Sequence, residues 1–290
     1  MVRQDERPIA RFALSLPAGA IYFGLFLLPL AVLFIESLRP FEPGFVGGRP
    51  DAGFTLENYV GLLSGSFSAA LGTTLRIGLL ASLASVILAL PLAHVCARSS
   101  SARLTALLIG LFVLLMFLGV LVRAYALQLT LGAVGPMRPV LLSLGIAPTS
   151  RAYIEFVVGA GLLHYILPMS VLTLIGPLRS IHPNLHESAQ SLGASAWMAH
   201  ATITLPLCAP GILTAFLFSF TFSLSAFVIP MILGSGRVNF VSSLVYTRFS
   251  EIANYPSGAA ISIGLLVLAL AIVALLSALA RRWTSLRLHV

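Results

Sequence analysis

His182 and His186 stand four residues apart, the spacing that sets two imidazoles on one helix face where they could share a metal ion. No cluster of His, Cys and carboxylate at metal-ligand spacing completes the pair, and a solvated helix face accounts for it better. Cys96 and Cys208 share no motif spacing and read as free, small apolar residues rather than a disulfide or metal pair. The hydroxyls of residues 221–227 (TFSLSAF) suggest a nucleophile, yet serine on an apolar helix is ordinary interhelical packing. A Gly-x4-Gly-Lys-Ser/Thr loop is absent, and all 17 basic residues are arginine, so no lysine exists to cradle a phosphate. P-loop hydrolysis of ATP is excluded, and no catalytic constellation remains. The chain is read as non-enzymatic, with no cofactor of its own.

Polar groups embedded in apolar sequence are the better candidates for function, because ionisable groups at membrane depth are expensive unless they face a cavity. Glu155 is the candidate anion for a cationic solute; the alternative is that it pairs with Arg151 or Arg123. His164 and Tyr165 lie deeper in the same stretch, where they line a cavity or hydrogen-bond a neighbouring helix. Glu36 reads as an interface residue.

These residues need elements to hold them, and the composition says which. The chain is 58% hydrophobic and 9% charged, too apolar for a soluble domain of 290 residues to cover its surface. The arginines are scattered singly between apolar stretches, as flanking anchors rather than a nucleic-acid patch. Apolar spans fall at about 14–36, 71–96, 104–122, 152–176, 207–233 and 259–280, each long enough for a hydrocarbon core of roughly 30 Å. The first is too long for a cleavable signal, and no small-x-small site follows it. Gly47-Gly48 marks a turn in the Pro- and Gly-rich segment 37–70, and Asn58-Tyr59 is placed near the outer surface. Arg123-Ala124-Tyr125 reads as an interface, followed by a mixed loop to residue 151. The expected class is all-α, an integral membrane protein with six transmembrane helices.

Six spans put both termini on one side. Nine arginines (3, 7, 11, 98, 103, 179, 281, 282, 287) fall there, in the shorter segments, while six of the nine acidic residues lie opposite. The arginine density places both termini, and the connection before residue 207, in the cytoplasm.

That connection, residues 183–206 (PNLHESAQSLGASAWMAHATITLP), lacks the apolar density around it. Pro183 suits a first helical turn, Gly193 a left-handed stop, and a second short helix is expected from Ala194 to about Thr202, ending before Leu205-Pro206. The segment resembles the EAA loop of binding-protein-dependent ATP-binding-cassette (ABC) importer permeases: Glu-Ala-Ala, three residues, Gly, nine residues, Ile-x-Leu-Pro. Glu187-Ser188-Ala189, Gly193, Ile203 and Leu205-Pro206 hold those positions, with Ser188 replacing one alanine. The likeness covers about residues 71–281, the type-1 transmembrane domain. Residues 1–70 supply a cytoplasmic N-terminus, the first helix and a periplasmic loop, and 282–290 a cytoplasmic tail. Phrases such as FTLENYVGLL, LVRAYA and SAFVIPMILGSG resemble the polyamine-type branch.

The resemblance implies a bacterial inner-membrane permease subunit with a coupling loop at 177–206 that docks on a cytoplasmic ATPase dimer, where ATP and Mg are bound. It implies a second permease, a distinct paralogue, and a periplasmic solute-binding protein, working by alternating access, with membrane lipid around the helices and no nucleic acid. It also implies translocation-path roles for Phe222, Ser225 and Phe227, and spermidine or putrescine as solute. Ferric ion, phosphonate, thiamine and opine importers share the pattern. A self-sufficient secondary transporter or channel is the rival class, but no internal repeat or paired intramembrane charge supports it.

Overall fold

The structure, a computed structural model, describes residues 17, 19, 21–49, 51 and 53–287, with backbone alone for 186 and 279–287. Arg3, Arg7, Arg11 and the start of the first expected span lie outside it. Every regular element among the described residues is helical. Those of six residues or more are, in chain order, α1 Phe23–Ser37, α2 Gly65–Arg98, α3 Ala102–Phe117, α4 Val120–Leu131, α5 Arg138–Ser143 and α6 Arg151–Ser180. They are followed by α7 Pro183–Ser191, α8 Ala196–Ser225, α9 Val228–Leu233, α10 Val241–Tyr246 and α11 Tyr255–Arg287.

Four helices (α2, α6, α8 and α11 to Ala278) are long and apolar enough to cross a membrane, five if α3 and α4 count as one broken span. The shorter apolar α1 stands before them. Their starts follow from local chemistry: Ser101, Ser150 and Ser195 each accept a hydrogen bond from a backbone N–H of the first turn, satisfying donors the helix cannot.

Three expected spans are drawn differently. The third, placed at 104–122, breaks at Leu118-Gly119, where the chain turns by 96° from α3 into α4. Gly119 caps α4 and Leu118 is extended, so neither continues the helix. Arg123 lies buried inside α4, and the expected loop, 126–151, takes in the second half of α4 and all of α5. The fifth span, expected to reach 233, stops at Ser225; Ala226 is extended and α9 starts afresh. The sixth helix starts earlier than expected, at Tyr255.

The chain divides into two compact units. One holds α1, the segment up to Phe67 and Leu244–Leu266. Within it the Asn58 amide donates to Ser37 O at 3.0 Å and Arg39 O at 2.8 Å, while Tyr59 Oη and Ser37 Oγ share a hydrogen bond at 2.6 Å. The Asn58-Tyr59 pair therefore ties down the end of α1. Glu36 accepts from the backbone N–H of Gly48 and lies 3.5 Å from Arg39.

The other unit holds Ser68–Ser243 and the remainder of α11. Its apolar residues form two buried layers, one around Val158, Leu162 and Phe240, the other around Val171, Leu174 and Cys208. Cys96 and Cys208 are free and buried in the second. Lipid offers no hydrophobic drive for helices to associate, so close approach through small residues and polar contacts hold the layers. Gly211 lets α8 lie on the ring of Pro177 in α6: a Cβ added there would sit 2.6 Å from Pro177 Cγ. Ser223 reaches to 3.4 Å from Ser82, so one hydroxyl of TFSLSAF lies at a helix contact.

Candidate coupling surface and path residues

α7 opens with Pro183 in its first turn, and the His182 ring accepts a hydrogen bond from Asn184 N at 3.3 Å. His182 is thus used as a cap; the His186 side chain lies outside the described residues. The helix stops at a Schellman turn. Gly193 takes φ +89°, its N–H donates to Gln190 O at 2.9 Å, and Ala194 N donates to Ala189 O at 3.0 Å. A side chain at Gly193 meets nothing within 4 Å, so the glycine answers to backbone conformation and not to space.

Past Gly193 the structure departs from expectation. The second helix does not end before Leu205-Pro206. It runs on through a π turn, His200–Thr204, into the long apolar part of α8. Pro206 has no N–H to give to the carbonyl of Thr202, and the turn widens so that Leu205 N donates to His200 O instead. Ile203 sits in this wide turn, and Leu205-Pro206 begins the regular helix beyond it.

Glu187 and Ser188 are exposed and Ala189 is half-buried. Glu187 shares an open cavity of about 270 Å³ with His94, Arg98, Pro183, Gln190 and His200, between α7 and the ends of α2 and α8. The ends of α2 and α6 are cross-braced there. Arg98 donates to Leu178 O at 3.0 Å and to Ile181 O, while Arg179 donates to Cys96 O at 3.4 Å. Reading by motif missed the apolar side chains of this segment. Leu192 is 89% exposed and Trp197 77%, with Leu185 and Met198 also outside any core. Their signal was present as bulky apolar residues in an otherwise polar stretch.

The path candidates do not form one group. Glu155 carries two arginines, an ion pair with Arg76 and one with Arg151 at 3.1 Å. Of the two partners that sequence offers, Arg151 pairs with it and Arg123 does not; Arg76, 79 residues away, is a partner that sequence does not suggest. Tyr165 and Phe222 do meet, with ring centroids 5.0 Å apart. They line a cavity of about 230 Å³ with Arg123, Met116, Ile166, Met169, Phe218 and Ser219. Ser225 lies one turn further on, its hydroxyl donating to Phe222 O at 3.1 Å. Phe227 falls in the break between α8 and α9. His164 is half-buried beside Tyr165, and its backbone carbonyl faces Arg123. Among the described residues no three metal-ligating side chains converge.

Comparison with known proteins is consistent along the length of the chain. Residues 60–285 match the family described as binding-protein-dependent transport system inner membrane component. The spermidine/putrescine transport system permease protein PotB of Haemophilus influenzae is 29% identical over 216 residues, 74% of this chain and 75% of that protein. The inner membrane ABC transporter permease protein YdcU of Escherichia coli is 28% identical over 258 residues, 84% of this chain and 80% of that one. In crystal structures, a chain of a bacterial ABC transporter involved in import of the acidic polysaccharide alginate superposes with TM-score 0.77 at 20% identity, over 96% of both chains. A chain from the bacterial alginate transporter in complex with its alginate-bound periplasmic protein gives 0.75 at 21%. At those identities the likeness speaks to fold alone.

Proposed function

The chain belongs to the binding-protein-dependent transport system inner membrane components, the non-catalytic permease subunits of ABC importers, and we propose that it docks its ATPase through residues 183–206. The observation that carries this reading is the exposed apolar set Leu185, Leu192, Trp197 and Met198 on a segment turned by Gly193. Apolar side chains of that size on a polar cytoplasmic segment need a protein partner. Glu187, Ser188, Ala189, Gly193, Ile203, Leu205 and Pro206 form and shape the docking surface.

In this reading a cytoplasmic ATPase dimer binds ATP and Mg, and its closure displaces α7. Because α7 continues directly from α6 and, past Gly193, into α8, a push on the segment reaches two membrane helices. Those helices reorient against a second permease, a distinct paralogue, and the solute is released from a periplasmic binding protein into the opened path. Both termini are cytoplasmic, and residues 71–281 are the unit that spans and couples. Tyr165, Phe222 and Ser225 lie on the path, with His164 and Phe227 at its margins.

For the solute we propose a polyamine such as spermidine or putrescine, on the strength of the PotB relatives. Glu155 does not supply the anion for it, since Arg76 and Arg151 already neutralise that carboxylate. Selection then rests with the binding protein. Two measurements test the reading. Substituting Glu187→Lys is expected to leave the protein inserted but to abolish ATPase co-purification and uptake; wild-type behaviour refutes the docking surface. Calorimetry of the cognate binding protein against polyamines, ferric ion, phosphonates, thiamine and opines decides the solute. A binding protein indifferent to spermidine and putrescine removes the polyamine reading and leaves the permease one standing.

A further inference from the structure

Arg123 is the one buried charge among the described residues, 5% exposed, and no described carboxylate pairs with it. Such a group is costly at membrane depth unless its donors are used. Arg123 uses them on faults in the helices. Its Nε donates to Leu118 O at 3.1 Å, the carbonyl at the corner where α3 and α4 part. Its Nη1 reaches His164 O at 3.5 Å, the carbonyl that Pro168, four residues later, cannot serve. The guanidinium carbon lies 4.3 Å from the centre of the Tyr165 ring, a cation–π contact. Tyr165 in turn touches Phe222, one turn before α8 ends.

One side chain therefore joins the corner of the third span, the carbonyl that Pro168 leaves free in α6 and the end of the fifth span. Discontinuities of this kind are where helices hinge. We propose that Arg123 is a positioning residue for transport: it locks these three faults together, so that motion delivered to α6 from the coupling segment also moves α4 and the end of α8. A planar, forked cation suits the task, since it can bond two carbonyls and stack on a ring at once. Lysine, a point charge on a flexible stem, cannot do all three.

This inference rests on the permease reading. It is tested in the assembled importer, in proteoliposomes, by spermidine taken up per ATP hydrolysed, or by uptake of whichever solute the binding protein is found to hold. Arg123→Ala is expected to keep hydrolysing ATP while uptake per ATP falls on the order of tenfold, the worth of one or two charge-assisted hydrogen bonds. Arg123→Lys is expected to recover less than half of that loss. Adding Tyr165→Leu to Arg123→Ala should cost nothing more, because both break the same linkage. An unchanged ratio in Arg123→Ala overturns the proposal, since a mere folding defect lowers uptake and hydrolysis together. Additive losses overturn it as well. If Arg123→Ala does not assemble, Tyr165→Leu alone must lower the ratio, and a wild-type ratio there overturns the proposal. Failure of the wild-type chain to assemble with any ATPase sinks the permease reading itself, and this inference with it.

Discussion

Ser170 Oγ lies 2.7 Å from Ser85 Oγ, so two fully buried hydroxyls on α6 and α2 share a hydrogen bond between apolar helices. Ser170 also lies 2.8 Å from Ser219 Oγ on α8, and Ser223 on α8 returns to Ser82 on α2. Ser170 gives its own proton to Ile166 O, so Ser85 and Ser219 both donate to it, and the three spanning helices are pinned in register at that hydroxyl.

Removing the centre of that network should be felt as lost stability. Ser170→Ala is expected to cost about 0.5–2 kcal/mol, the range for interhelical hydrogen bonds in membranes. Thermal unfolding of the purified protein in detergent measures it. A Ser170→Ala/Ser219→Ala double variant should lose less than the sum of the singles, because they share a bond.

Gly193 makes a separate prediction that depends on backbone alone. At φ +89° a β-branched residue is strained by roughly 1–3 kcal/mol, whereas asparagine tolerates the left-handed region. Gly193→Val should therefore weaken ATPase co-purification well beyond Gly193→Asn. Equal retention in the two variants would show that the angle between α7 and α8 does not matter for docking.

At Gly211 the constraint is space. A methyl group there collides with the Pro177 ring, which cannot rotate away, so α6 and α8 must separate. Gly211→Ala is expected to destabilise by about 1–3 kcal/mol, as overpacking does. A thermal midpoint at or above that of the wild type would contradict the contact.

Glu155→Gln tests whether the carboxylate binds solute or only its neighbours. Its ion pairs are partly exposed, so the stability change should be small, about 0–1 kcal/mol. The concentration of transported solute giving half-maximal uptake should stay within twofold. A tenfold rise, about 1.4 kcal/mol, would return Glu155 to the path.

Much of this was legible in the order of residues. Apolar runs marked the spans because length and composition alone satisfy a hydrocarbon core, and the glycine elbow was readable because only glycine takes φ near +90° cheaply. The corner at Leu118-Gly119 was not. Both sides of it are apolar, and a run of such residues looks the same whether the helix continues or turns. The end of α8 at Ser225 was hidden for the same reason.

Sequence by itself determined that the chain is of the all-α class, apolar enough for a membrane and without a P-loop, and it displayed the Glu187–Pro206 pattern. Those properties depend on composition, on period and on local backbone preference, which no distant residue can alter. Tertiary structure alone decided the partners of the charges. Arg76 reaches Glu155 across 79 positions, and Arg123 finds a carbonyl exposed by a proline 45 residues later, because folding brings α2 and α4 against α6. Which arginine anchors an interface and which one locks three helices depends on that juxtaposition.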